Sequence, residues 1–168
     1  MKFSLKLLAV GAALAIGAAA STEALAIDNE QAIKDRQALM KALGKDLGAI
    51  RDYTQDKVDL AAAEAAGADL AARLPKIPDL FPKGSGPDDY PGKTNAKPAI
   101  WTEWDKFVAA DKSAIAAVDA LNTALKSGDK AAVTTAFGNI GRDFWGTASS
   151  NPGACGACHG TFAQKPSS

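Results

Sequence analysis

The strongest constraint on how this chain folds is the spacing of its apolar residues, which follows a helical period, with no strand pattern standing out. Ile33, Met40, Leu43, Leu47 and Ile50 share one face of a helix predicted from about Asn29 to Tyr53, and Asp28 with Gln31 gives an approximate N-cap signal. A second helix, rich in alanine and leucine, is predicted over about Asp56 to Leu74, where Pro75 stops it. A third should run from about Ala99 to Lys126, with Trp101, Trp104, Val108, Ile115, Val118 and Leu125 along one side and Gly128 as its cap. A fourth starts near Asp129 and carries Val133, Phe137 and Ile140. Asn151-Pro152 then restarts a helix that holds Cys155 to Gln164. There is no internal repeat. The economical arrangement is all-α, an antiparallel four-helix bundle around one core.

Two segments interrupt this pattern. Pro75 to Pro98 holds six of the eight prolines, with Gly84, Gly86 and Gly92, and is predicted as a long connection between the second and third helices. Connections of that length in a compact domain usually serve or cover a site. Arg142 to Ala154, with Gly146, Ser149, Ser150 and Asn151-Pro152, is predicted as a non-helical excursion before the last helix.

The first 26 residues read as a signal peptide. Lys2 and Lys6 precede an uncharged apolar run from Leu7 to Ala20, and Ala24-Leu25-Ala26 is an A-x-A cleavage pattern. The run is too short to span a bilayer. The remaining chain, 27–168, suits a single domain. Removing Lys2, Lys6 and Glu23 from 19 basic and 19 acidic residues leaves it near neutral, so nothing points to nucleic acid. Export implies an oxidising compartment, here the periplasm.

The chain has two cysteines, in Cys155-Gly156-Ala157-Cys158-His159. A disulfide between them would close only a tiny loop and constrain little. A thioredoxin-like reading lacks its βαβ context. A zinc reading stops at three ligands, because His159 is the only histidine. C-x-x-C-H is the attachment signature of c-type haem. Two thiols at this spacing reach the two vinyl groups of one porphyrin edge, and the next residue offers its imidazole to the iron.

The ligand inventory is restrictive. With one histidine, bis-histidine ligation within the chain is excluded. With the signal removed, Met40 is the only methionine, so the iron is left with His159 and Met40, His159 and an open face, or His159 and an unexpected ligand such as a lysine. Met40 has an equal claim as a core gap-filler. Arg36 lies one turn before it on the same apolar stripe, where a charge needs a partner or an escape to water. A haem propionate would be such a partner. Trp101, Trp104 and Phe107 are large core residues that could also wall a haem pocket.

At this point the chain resembles the cytochrome c-prime family, the class II c-type cytochromes. The residues that carry the resemblance are Arg36-Gln37-Ala38-Leu39-Met40, Leu80-Phe81-Pro82 with Gly84-Ser85, Lys97-Pro98-Ala99-Ile100-Trp101 with Trp104 and Phe107, Ala136-Phe137-Gly138, and the C-terminal haem motif with Phe162. The resemblance implies a four-helix bundle with one covalent haem c, His159 as proximal ligand, Arg36 near a propionate and Met40 at the distal position. One branch of the family ligates iron through that methionine and is a low-spin electron carrier. In the other the iron is five-coordinate and high-spin and binds NO or CO. Family members also often dimerise through their first two helices. Two departures stand out: the Arg142 to Ala154 insertion, and Ala163 where a basic residue is common. The leading expectation is a soluble periplasmic one-electron carrier, ligated by His159 and Met40, that serves redox partner proteins and is not an enzyme. The alternative is the gas-binding form. A peroxidase-like role lacks a distal histidine.

Overall fold

A computed structural model describes residues 28–141 and 153–165. The first helix, α1 (Asn29–Thr54), begins where the Asp28 carboxylate accepts a hydrogen bond from the Glu30 amide. The next helix, α2 (Leu60–Arg73), starts later than the sequence predicts, because Asp59 caps it by accepting from the Ala62 amide. Two single 3₁₀ turns, Leu74–Lys76 and Pro78–Leu80, then open the long Pro/Gly-rich connection. It runs without a further helix to α3 (Ala99–Thr102).

The predicted third helix is two helices. Glu103, at φ −125° and ψ 43°, breaks the ladder between α3 and α4 (Trp104–Ser127). The break separates Trp101 from the rest of the predicted stripe. The buried residues of α4 are Phe107, Asp111, Ala114, Val118, Leu121 and Leu125. Val118 and Leu125 lie on that face as expected, Val108 and Ile115 are only half buried, and Trp104 is turned outward, 38% exposed. Gly128 closes α4 in the left-handed conformation, and Asp129 caps α5 (Lys130–Ile140) through the Ala131 and Ala132 amides.

The bundle consists of α1, α2, α4 and a fourth column made of α5 followed by α6 (Gly153–Phe162). α1 packs on α2 and α5, and α4 packs on α2, α5 and α6. The core between them holds Leu43, Leu47, Ile50, Leu70, Val118, Leu121, Leu125, Val133 and Ile140. Two polar ties fix the helix pairs. Asp46 on α1, 7% exposed, is ion-paired with Arg73 on α2, which also reaches Asp69 at 3.0 Å. Asn122 on α4 donates from Nδ2 to the Gly67 carbonyl of α2 at 3.0 Å. Among the described residues the only bridge of strand type is isolated, Ala96 with Ala163.

The fourth column is interrupted. α5 stops at Gly141, and α6 starts at Gly153, φ +64°. A Cβ on Gly153 would stand 2.6 Å from Gly141 Cα, so the chain is back beside the point at which it left, an approach that only glycine permits. The excursion predicted over Arg142–Ala154 falls, apart from Gly153 and Ala154, outside the described residues, as does the predicted signal peptide, 1–26. No helix among the described residues is long and apolar enough to cross a membrane.

Candidate cofactor site

Between α1 and α6 lies a cavity of about 430 Å³, a size suited to a bound small molecule or cofactor. It is bordered by every site residue predicted from the sequence: Arg36, Met40, Cys155, Cys158 and His159. The helical pitch places them there. Cys155, Cys158 and His159 are three and four residues apart, hence on one face of α6. Arg36, Met40, Leu43 and Leu47 recur at three and four on α1. Leu70 and Leu74 from α2 and the following turn, and Phe107 and Val118 from α4, complete a mainly apolar wall.

Both cysteines are free thiols. Burial pushes each up to about 11, helped at Cys158 by the nearby Cys155 and Asp111, so both are protonated at neutral pH. α6 is held at its end by the long connection. Lys97 N donates to the Phe162 carbonyl at 2.9 Å, Gln164 N to the Asn95 carbonyl at 2.6 Å, and Lys97 Nζ to the Gly160 carbonyl at 2.8 Å.

Arg36 is 3% exposed and has a more definite environment than the sequence suggests. Its Nη1 donates to Ser85 Oγ at 2.9 Å and to the Leu80 carbonyl at 3.4 Å. Its Nη2 donates to the Ser85 carbonyl and to Thr94 Oγ1, both at 2.8 Å. The guanidinium carbon stands 4.7 Å from the Phe81 ring centroid and 5.9 Å from that of Trp101, within cation–π range. Trp101 Nε1 in turn donates to the Phe81 and Pro82 carbonyls. The Pro/Gly-rich connection is therefore wrapped around this one cation. No carboxylate among the described residues pairs with Arg36, and burial lowers its pKa to about 10.

Phe81, Phe107 and Phe162 form an edge-to-face chain along the cavity, with centroid separations of 5.0 and 5.4 Å. Of the three large aromatic residues singled out in the third helix, only Phe107 lines the cavity. Trp101 packs on Phe81, and Trp104 lies at the surface against Phe107.

These residues fit a covalently attached haem. The thiols and the imidazole border one apolar space, and a buried cation with no acidic partner among the described residues borders it too, ready for an anionic group. The sequence reading missed three contributors. Ser85 and Thr94 carried no periodic signal and enter through long-range folding. Asp111 did carry one, four residues after Phe107 and seven before Val118, but a charged residue was not counted among the apolar positions of the stripe.

Comparison with known proteins agrees with this architecture. The sequence profile of the family described as Cytochrome C' matches residues 31–163. The cytochrome c' of Rubrivivax gelatinosus is 36% identical over 124 residues, covering 73% of this chain and 86% of that protein. Among solved structures, cytochrome c' from Rhodobacter Spheriodes superposes with a TM-score of 0.68 at 29% identity, covering 83% of this chain and 99% of that one. A further cytochrome c', described as having an unusual ligand-controlled dimer dissociation, superposes with a TM-score of 0.70 at 25% identity over 83% and 99% of the two chains.

Proposed function

The chain belongs to the cytochrome c' family, and from that premise we propose that it is a periplasmic haem protein that binds small diatomic gases such as NO and CO. Its cofactor is one covalently bound haem c with its iron. That group supplies a redox-active iron that takes up diatomic ligands where an axial position is open. In this proposal Cys155 and Cys158 give the thiols for attachment and His159 is the protein ligand to iron. Arg36 offers its charge to a propionate while its terminal nitrogens hold the long connection in place. Residues 1–26 are removed as a signal peptide, and 27–168 forms one class II cytochrome c domain.

The observation that carries the gas-binding reading is the character of the cavity wall built by α1 and α2. Met40, Leu43, Leu47, Leu70 and Leu74 give it an apolar surface without hydrogen-bond donors, and of the polar residues that α1 adds, Arg36 is committed to the connection, Gln37 donates to the Lys93 carbonyl and Lys41 is exposed. A pocket without a polar distal group suits uptake of uncharged diatomics and is poor at cleaving an O–O bond. A homodimer through α1 and α2 belongs to the same proposal. The outer face of α2 exposes Ala61, Ala62 and Ala65, and a structural neighbour is described as having a ligand-controlled dimer dissociation.

The second reading is a low-spin one-electron carrier for redox partner proteins, with Met40 as sixth ligand. What favours it is the position of Met40, half buried on the wall of the cavity that His159 also borders. Electron paramagnetic resonance and near-infrared spectra of the oxidised protein separate the two. The gas-binding reading expects a high-spin signal in both the wild type and Met40→Ala, ready CO binding to the ferrous form, and several-fold faster CO association once the side chain is trimmed. A low-spin signal with a sulfur-to-iron charge-transfer band that disappears in Met40→Ala would establish the carrier instead.

A further inference from the structure

One ionisable side chain of the cavity has no part in holding the haem. Asp111, in the first third of α4, is 5% exposed, and its Oδ1 has no hydrogen-bond partner among the described residues. The other buried carboxylate, Asp46, is tied to Arg73. Burial without a partner pushes the Asp111 carboxyl up to about 6, so its ionised and neutral forms are close in free energy near neutral pH.

The groups that could answer its charge are few. From α6 come Cys155, Cys158 and His159; the two thiols lose their ionisable protons once they are thioethers. From α1 come Arg36, whose terminal donors are committed to the connection, and Lys41, exposed at the rim. Among the described residues, α2, α5 and the 94–96 segment contribute nothing that titrates to the cavity wall, and on α4 itself the adjacent Lys112 is exposed to solvent. Beside these described residues, the variable charge that Asp111 meets in the loaded protein is that of the haem.

We propose that Asp111 is a redox-linked proton acceptor for the haem. Asp111 takes up one proton from solvent when an external one-electron donor reduces the ferric haem, and it returns that proton to solvent on reoxidation. One electron and one proton enter together. The carboxylate becomes a carboxylic acid, the iron falls by one unit of charge, and no bond to the cofactor forms or breaks. The cause is electrostatic. A ferric haem attracts the ionised carboxylate across a medium of low dielectric, and reduction removes that attraction, which raises proton affinity. The midpoint potential must then fall as pH rises between the two affinities. The inference needs only the haem in this cavity and holds whether the remaining iron face is open or taken by Met40.

The test is potentiometry of the haem-loaded protein between roughly pH 5 and 8, the range around a perturbed carboxyl, paired with redox-difference infrared spectra. The expected result is a potential that falls with pH in the wild type, is flat in Asp111→Asn and slopes again in Asp111→Glu. In the wild type a protonated carboxyl band should appear on reduction and shift when aspartate is labelled with ¹³C. A pH-independent wild-type potential, or an equal slope in Asp111→Asn, overturns the proposal. So does the absence of an aspartate-derived band on reduction, a measurement that needs no variant to fold.

Discussion

Arg36 illustrates how one side chain serves two demands. A charge in the middle of an apolar stripe is costly, and the fold meets that cost with four hydrogen bonds from the connection and two aromatic faces. Arg36→Leu should therefore act on the loop as well as on the haem. Removing a buried, charge-assisted network of this kind costs about 2–4 kcal/mol. The loss should appear as a lower thermal midpoint of the loaded protein and faster amide exchange at Ser85, whose amide bonds the Pro82 carbonyl. If Arg36 also answers a propionate, the same variant shifts the haem potential. A shifted potential with unchanged loop exchange would show that the network contributes little. The burial of Arg36 was legible in its place on the stripe, whereas its partners, 44 to 58 residues away, were not.

At the scale of elements, the approach of α2 to α4 depends on an absent side chain. A Cβ on Gly67 would clash with Asn122 Oδ1 and come within 2.9 Å of Leu125 Cδ1, and Asn122 is already bonded to the Gly67 carbonyl. Gly67→Ala should destabilise the bundle by roughly 1–3 kcal/mol through overpacking, despite the better helix propensity of alanine. Asn122→Ala should remove much of that penalty, so that the double variant is less destabilised than the sum of the singles. Additive denaturation free energies would mean that the crossing relaxes without this contact. Helix existence was readable at this scale, but two details were not. The kink at Glu103 has no proline or glycine to announce it, and the face that α4 buries runs through Phe107, Asp111 and Ala114, which leaves Trp104 at the surface. The halt at Gly141 was signalled, because glycine and a weak helical composition follow Ile140.

For the whole molecule, the cofactor is part of the core. A bundle of this size with an apolar space of about 430 Å³ at its centre lacks the contacts that a filled interior would supply. Cys155→Ser with Cys158→Ser, expressed with the attachment machinery, should yield a chain that lacks the acid-stable haem mass, melts at lower temperature and loses helicity less cooperatively than the loaded protein. Intact mass spectrometry and circular dichroism report both quantities. An unlinked chain that melts like the wild type would mean that the bundle closes over the space unaided.

The attachment chemistry and the fold class were determined by sequence alone, for local reasons. The five-residue motif needs only helical pitch to present two thiols and an imidazole on one face, and the three-to-four spacing of apolar residues needs only burial to make a bundle. The tertiary structure decided which distant groups meet. It brought Met40 to the cavity that His159 borders, closed Ser85 and Thr94 around Arg36, returned Gly153 to Gly141, and buried Asp111 with no partner for its Oδ1 among the described residues. Such pairings depend on helix register and loop path, which long-range packing sets and no window of neighbouring residues encodes.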